Sequence, residues 1–156
     1  MITSLDALEA ACSSVGHSAP GDIRTELHGS EYLVVFCFVT DAERRQDRIL
    51  VATVDADSGK VTRTEAVNKP EPGLQPAAEN WPQFISPKRA YDIALETLAG
   101  LRPYYPYGQL RVELRGDRYY VTFPIKPNPG ARGADYTVQI QLDAPTGKVL
   151  HIMGPN

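Results

Sequence analysis

The chain has 156 residues, 42% of them hydrophobic and 22% charged, and a net charge of −3 from 16 basic and 19 acidic side chains. That balance is ordinary for a globular protein and lacks the basic excess of a nucleic-acid binder. No apolar run approaches the roughly 20 residues that insert across a bilayer, and Met1-Ile2-Thr3-Ser4-Leu5-Asp6 has neither the basic start nor the long apolar stretch of a secretory leader. The expected compartment is the cytoplasm, or the periplasm should a leader precede Met1.

The first predicted element is a helix. Thr3 or Ser4 caps it, Leu5, Leu8, Cys12 and Val15 recur at helical spacing, and Gly16 ends it. Residues 23–28 alternate apolar and polar, as a strand with one buried face does. A tight turn at His28-Gly29-Ser30-Glu31 leads to a strand over 32–39 rich in β-branched and aromatic residues. A longer polar loop precedes a third strand at 48–55, and the turn Asp55-Ala-Asp-Ser-Gly59 leads to a short fourth segment at 60–64. Residues 67–85 then carry Pro70, Pro72, Pro76 and Pro82, a density that blocks both helix and ladder. Trp81 and Phe84 are expected to pin this linker to the folded body.

The same order then recurs. Ser86 caps a second helix with Pro87 at its first position, and Ala90, Ile93, Ala94, Leu98 and Leu101 form its stripe, with Gly100 near its end. Strands follow at 109–115, 119–125 and 136–143, with a last segment at 148–153. The two copies align residue by residue. Arg24 falls on Arg111, Glu26 on Glu113, Leu27 on Leu114, Gly29 on Gly116, Tyr32 on Tyr119, Val34 on Val121 and Phe36 on Phe123. Val54-Asp-Ala-Asp-Ser-Gly-Lys-Val61 falls on Leu142-Asp-Ala-Pro-Thr-Gly-Lys-Val149 at nearly the same offset, which marks a duplication. The predicted fold is α+β: two tandem helix-plus-antiparallel-sheet (αβββ) units, residues 1–66 and 86–156, joined by the proline-rich linker 67–85. Each helix is expected to pack across its own sheet, burying Leu5, Leu8, Ile93, Leu98, Val34, Phe36, Val121 and Phe123.

No catalytic constellation is legible, and no cofactor or metal site is expected. His17, His28 and His151 are far apart, and no Cys-x-x-Cys or His-Glu-x-x-His spacing occurs. Asp55-Ala-Asp57-Ser-Gly59 begins like a calcium loop, but its glycine comes one position early, no glutamate closes it, and Pro145 replaces Asp57 in the second copy. Gly16-His17-Ser18-Ala19-Pro20 lacks the last glycine of a nucleophile elbow and follows a helix instead of a strand. The glycine-bearing segment 128–133 joins two strands, with no helix N-terminus to cradle a phosphate. Cys12 and Cys37 read as buried thiols; the alternative, a disulfide between them, needs an oxidising compartment.

The functional signal lies elsewhere. Arg102-Pro-Tyr104-Tyr105-Pro106-Tyr107-Gly108 crowds three tyrosines and an arginine into one loop, where the first copy has only His17-Ser-Ala-Pro-Gly21. Tyrosine and arginine are the side chains enriched at binding hot spots. The repeated pairs Arg24/Glu26 and Arg111/Glu113 sit at i, i+2 on the polar face of a strand, which suits cross-strand charge pairing or recognition of a partner. Arg102, Tyr104, Tyr105, Tyr107, Arg111, Glu113 and Arg132 are therefore the candidate partner-binding residues.

The pattern of a helix with alanine near its start, a Tyr-x-Val strand and Asp-Ala-x-Ser/Thr-Gly-Lys-Val resembles the PepSY-like domain family, most clearly over residues 86–153. That resemblance implies small, non-catalytic, generally extracytoplasmic α+β modules that inhibit or bind other proteins. The second half is also similar to small bacterial immunity proteins of the NTF2-like or cystatin-like type, which implies a cytoplasmic protein occluding a toxin. No catalytic residue carries over from either. The expectation is a non-enzymatic protein-binding module, an inhibitor or immunity protein whose partner is a toxin or enzyme. Its alternatives are a PepSY-type regulatory module and a small-ligand carrier.

Overall fold

The structure, a computed structural model, describes residues 1–15, 20–38, 48–66, 84–98, 108–124 and 137–153. Its helices begin where local chemistry allows. The Asp6 N–H donates to Thr3 Oγ1 at 3.2 Å while the Thr3 N–H donates to Asp6 Oδ2 at 3.1 Å, a reciprocal cap that starts α1 (Ser4–Val15). Ser86 Oγ accepts the Arg89 N–H at 3.1 Å at the start of α2 (Pro87–Leu98), with proline at the position that needs no donor. The helices bury Ala7, Leu8 and Ala11, and Ala90, Tyr91, Ala94 and Leu98. Neither is long and apolar enough to cross a membrane.

Eight strands follow the repeated order: β1 (Gly21–His28), β2 (Glu31–Phe38), β3 (Arg48–Asp55) and β4 (Val61–Ala66), then β5 (Arg111–Arg115), β6 (Arg118–Pro124), β7 (Thr137–Asp143) and β8 (Val149–Met153). They form one antiparallel sheet in the order β4-β3-β2-β1-β5-β6-β7-β8. This corrects the expectation of two αβββ units. The final segment of each copy is a full fourth strand, and the two sets of strands share a single sheet because β1 pairs with β5. Nor does each helix serve a sheet of its own. α1 packs on β1 to β4, and α2 packs on β5 to β7 and reaches across to β1. Linker residues 67–83 lie outside the described residues.

Register explains why both helices take one face. Ala66, Leu50, Phe36, Ile23, Val112, Val121, Ile140 and Ile152 pair in sequence across all eight strands, giving one apolar row from edge to edge. Alternation then sends every such row to the same side. Of the expected core, Leu8, Leu98, Val34, Phe36, Val121 and Phe123 are buried, while Leu5 and Ile93 are half-buried against it. Each fully buried large side chain contributes about 1.5–3 kcal/mol.

The duplication survives as repeated hydrogen bonds within this one sheet. The Ile2 N–H donates to Ala56 O at 2.7 Å and the Ile85 N–H to Ala144 O at 2.8 Å; the Ala56 N–H reaches Ser30 O and the Ala144 N–H reaches Asp117 O, both at 2.9 Å. Tyr32 Oη donates to Ile2 O at 3.0 Å, and Tyr119 Oη to Ile85 O at 2.7 Å. Both copies carry a register shift at the same place, between Thr53 and Val54 and between Gln141 and Leu142. At the seam Arg24 lies opposite Arg111, its own counterpart in the repeat, so a local two-fold axis passes between them.

The seam is short. Backbone pairing covers Ile23↔Val112 and Arg24↔Arg111, with the Thr25 N–H donating to Leu110 O at 3.0 Å. Side chains finish it. Thr25 Oγ1 accepts the Leu110 N–H at 3.1 Å, and Asp22 Oδ1 accepts the Leu114 N–H at 2.7 Å. The halves part slightly at this join, and a groove opens there.

Candidate functional site

Among the described residues no helix packs on the face opposite the core. The row next to the apolar one runs Glu65, Val51, Val35, Arg24, Arg111, Thr122, Gln139 and Met153, again by paired register across all eight strands. Within it Val51 and Val35 are apolar on one side of the arginines, and Thr122 and Gln139 are polar on the other. Leu33, Val35, Cys37, Ile49 and Val51 make a half-buried apolar patch on β2 and β3, beside the arginines of the seam. Counterparts in the second half are polar: Thr122 stands where Val35 does, and Gln139 where Val51 does.

Between patch and seam lies an open groove of about 350 Å³, lined by Asp22, Arg24, Val35, Cys37, Arg111 and Glu113, with Gln109 at its margin. Its charges pair along the strands. Arg24 Nε meets Glu26 Oε1 at 3.0 Å, and Glu26 also takes His28 Nε2 at 3.0 Å and Gln109 Nε2 at 3.1 Å. The hydrogen bond from His28 is the main reason the Glu26 carboxyl sits below the usual carboxylate range, with Arg24 adding to it. Glu113 gives its close contact, 2.6 Å, to Arg115 Nη2 and meets Arg111 Nη1 only at 4.0 Å. Arg115 in turn lies 5.3 Å from the Tyr120 ring centroid, a cation–π contact.

Across the strands, like faces like. Expected cross-strand charge pairing is replaced by Arg24 opposite Arg111, an arrangement that by itself destabilises a sheet. Two half-exposed guanidinium groups side by side can take a carboxylate in bidentate fashion. Among the described residues, no group of three or more His, Cys, Asp or Glu side chains could hold a metal ion.

Arg111 and Glu113, two of the residues expected to bind a partner, are thus brought together at the seam with Arg24 and Glu26. Arg102, Tyr104, Tyr105, Tyr107 and Arg132 lie outside the described residues. In the sequence that tyrosine-rich segment ends at Tyr107, two residues before the groove-lining Gln109. The sequence reading of 32–39 as a strand rich in β-branched and aromatic residues did not single out the apolar patch. Its signal was visible, because Tyr-Leu-Val-Val-Phe-Cys-Phe is apolar or aromatic at every position, the pattern of a strand contacted on both sides.

The two cysteines are unpaired and lie on opposite sides of the sheet, Cys12 on α1 and Cys37 in the groove, so the alternative of a disulfide between them is not realised. Burial pushes the Cys12 thiol up to about 12, and burial also raises Cys37. Native Cys12 should therefore react with an aromatic disulfide at pH 8 more than about tenfold slower than a free thiol, and at the free rate in urea. Free-rate labelling of native Cys12 would contradict its burial between α1 and the sheet.

No known protein-family profile matches this chain, and no curated protein does. The PepSY-like and immunity-protein resemblances therefore rest on the motifs that carry them. A solved structure described as that of a presumptive lipoprotein from Clostridium difficile 630 is similar at 14% identity, covering 99% of this chain and 93% of that one, with a TM-score of 0.44. A likeness of that degree assigns neither family nor function.

Proposed function

We propose that this protein is a non-catalytic binding module whose open sheet face covers a surface of another protein, in the manner of an inhibitor or immunity protein that occludes a toxin or enzyme. The observation that carries the reading is the make-up of that face. An apolar patch (Leu33, Val35, Ile49, Val51) adjoins a ladder of arginines and glutamates, with Tyr120 on the far side of the seam. Apolar area ringed by charge, with arginine and tyrosine anchors, is the anatomy of a protein interface.

The test compares face variants with a control. Val35→Glu and the double variant Arg24→Glu, Arg111→Glu should lose affinity for a captured protein partner by about 10- to 100-fold, whereas Glu96→Lys on α2 should bind as the wild type does. The partner's own activity should fall on binding. Equal affinity across all variants, or specific retention of a small molecule with no protein partner, would remove the proposal.

A further inference from the structure

The two edges of the sheet are counterparts in the repeat, yet their chemistry differs. β4 reads Val61-Thr-Arg-Thr-Glu-Ala66, and β8 reads Val149-Leu-His-Ile-Met153. By the alignment Val61 to Val149, Thr62 becomes Leu150, Arg63 becomes His151, Thr64 becomes Ile152 and Glu65 becomes Met153. β4 is thus protected as edge strands usually are, by charge: Arg63 and Glu65 pair at 3.3 Å on it. β8 carries no Asp, Glu, Lys or Arg. Leu150, Ile152 and Met153 on it are 42%, 44% and 50% exposed, and among the described residues the other exposed large hydrophobic is Met1. The core row that crosses all eight strands ends on Ile152, out in the open.

We infer that β8 is a self-association edge, pairing antiparallel with β8 of a second copy so that the sheet continues through a two-fold axis near Ile152. Three observations select this occupant. Without a charged side chain other than a histidine, β8 meets its own copy with no like-charge clash, Ile152 facing Ile152 and His151 facing Met153. Pairing β8 with β4 of another copy would instead set Leu150, Ile152 and Met153 against Arg63 and Glu65, and would propagate as an open filament instead of closing. The fold also already joins equivalent strands antiparallel about a two-fold axis, at the β1·β5 seam. So short a strand pair falls short of the roughly 1,600 Å² of a standard interface, so the dimer is a concentration-dependent one. This inference does not rest on the proposed partner-binding face, which lies on another part of the molecule.

The experiment is sedimentation equilibrium of the full chain from about 10 µM to about 0.5 mM, a range that brackets weak association. Wild type should show a reversible monomer–dimer equilibrium. Ile152→Lys should raise its dissociation constant by at least about tenfold, by placing a charge on the edge. Thr64→Lys, the equivalent change on β4, should leave it unaltered. Should Ile152→Lys fail to fold by circular dichroism, Met153→Lys serves in its place. The inference is overturned by a wild type that stays monomeric throughout, by a dimer indifferent to these β8 charges, or by open-ended polymers that Thr64→Lys abolishes.

Discussion

Gly21→Ala is expected to destabilise the protein by about 3 kcal/mol or more, a fall in Tm of about 6–12 °C for a chain of this size. A Cβ on Gly21 would stand 2.3 Å from the Cys37 carbonyl oxygen and 2.9 Å from the Phe38 Cα. These are backbone atoms of the paired strand β2, held by the ladder and by the buried Phe36 and Phe38, so neither can swing aside. The matching control is Gly116→Ala. Gly116 has φ +62° and open space where its Cβ would go, so alanine there costs only the left-handed backbone, about 1–2 kcal/mol. Thermal unfolding of the two variants checks the difference. Equal losses would mean that β1 and β2 do not approach as closely as the structure has them.

The second large effect concerns the join between the copies. Tyr119→Phe should cost about 2–3 kcal/mol, because this buried tyrosine ties the two copies together through its hydroxyl. That hydroxyl holds the residue leading into a helix. Tyr119 Oη donates to Ile85 O at 2.7 Å and accepts a hydrogen bond from the Gly21 N–H of the other half at 3.3 Å. Removing it takes a donor from the approach to α2 and an acceptor from the start of β1 together. Burial pushes the Tyr119 phenol far above its ordinary range, so the hydroxyl stays protonated and this arrangement does not titrate near neutral pH. Urea unfolding of Tyr119→Phe checks the figure, and a loss below about 1 kcal/mol would contradict the assigned role.

Much of this fold was legible because its causes are local. Thr3 with Asp6 and Ser86 with Pro87 start helices by chemistry confined to one turn. Gly59 and Gly147 adopt φ +76° and +79° in the two Asp-Ala-x-Ser/Thr-Gly-Lys turns, where Asp55 Oδ2 and Asp143 Oδ2 accept hydroxyl hydrogen bonds from Ser58 and Thr146. Alternation in Ile23, Thr25 and Leu27 told which side of β1 faces the core. The candidate site was only partly legible. Arg111 and Glu113 stood out by repetition, but the apolar patch of β2 and β3 was concealed within strands that looked merely well buried.

What the sequence determined by itself is the unit: two capped helices, the turns, and strands with a defined inner side, each written twice. The tertiary structure decided the rest. A strand's alternation sets its faces but not its neighbour, and β1 and β5 carry the same pattern, so nothing local says whether each ends a sheet or whether they pair. Their pairing follows from contacts distant in the chain: Asp22 to Leu114, Thr25 to Leu110, Gly21 to Tyr119. Once made, it puts both helices on one side, sets Arg24 against Arg111, and leaves the opposite face and the β8 edge uncovered by any described helix.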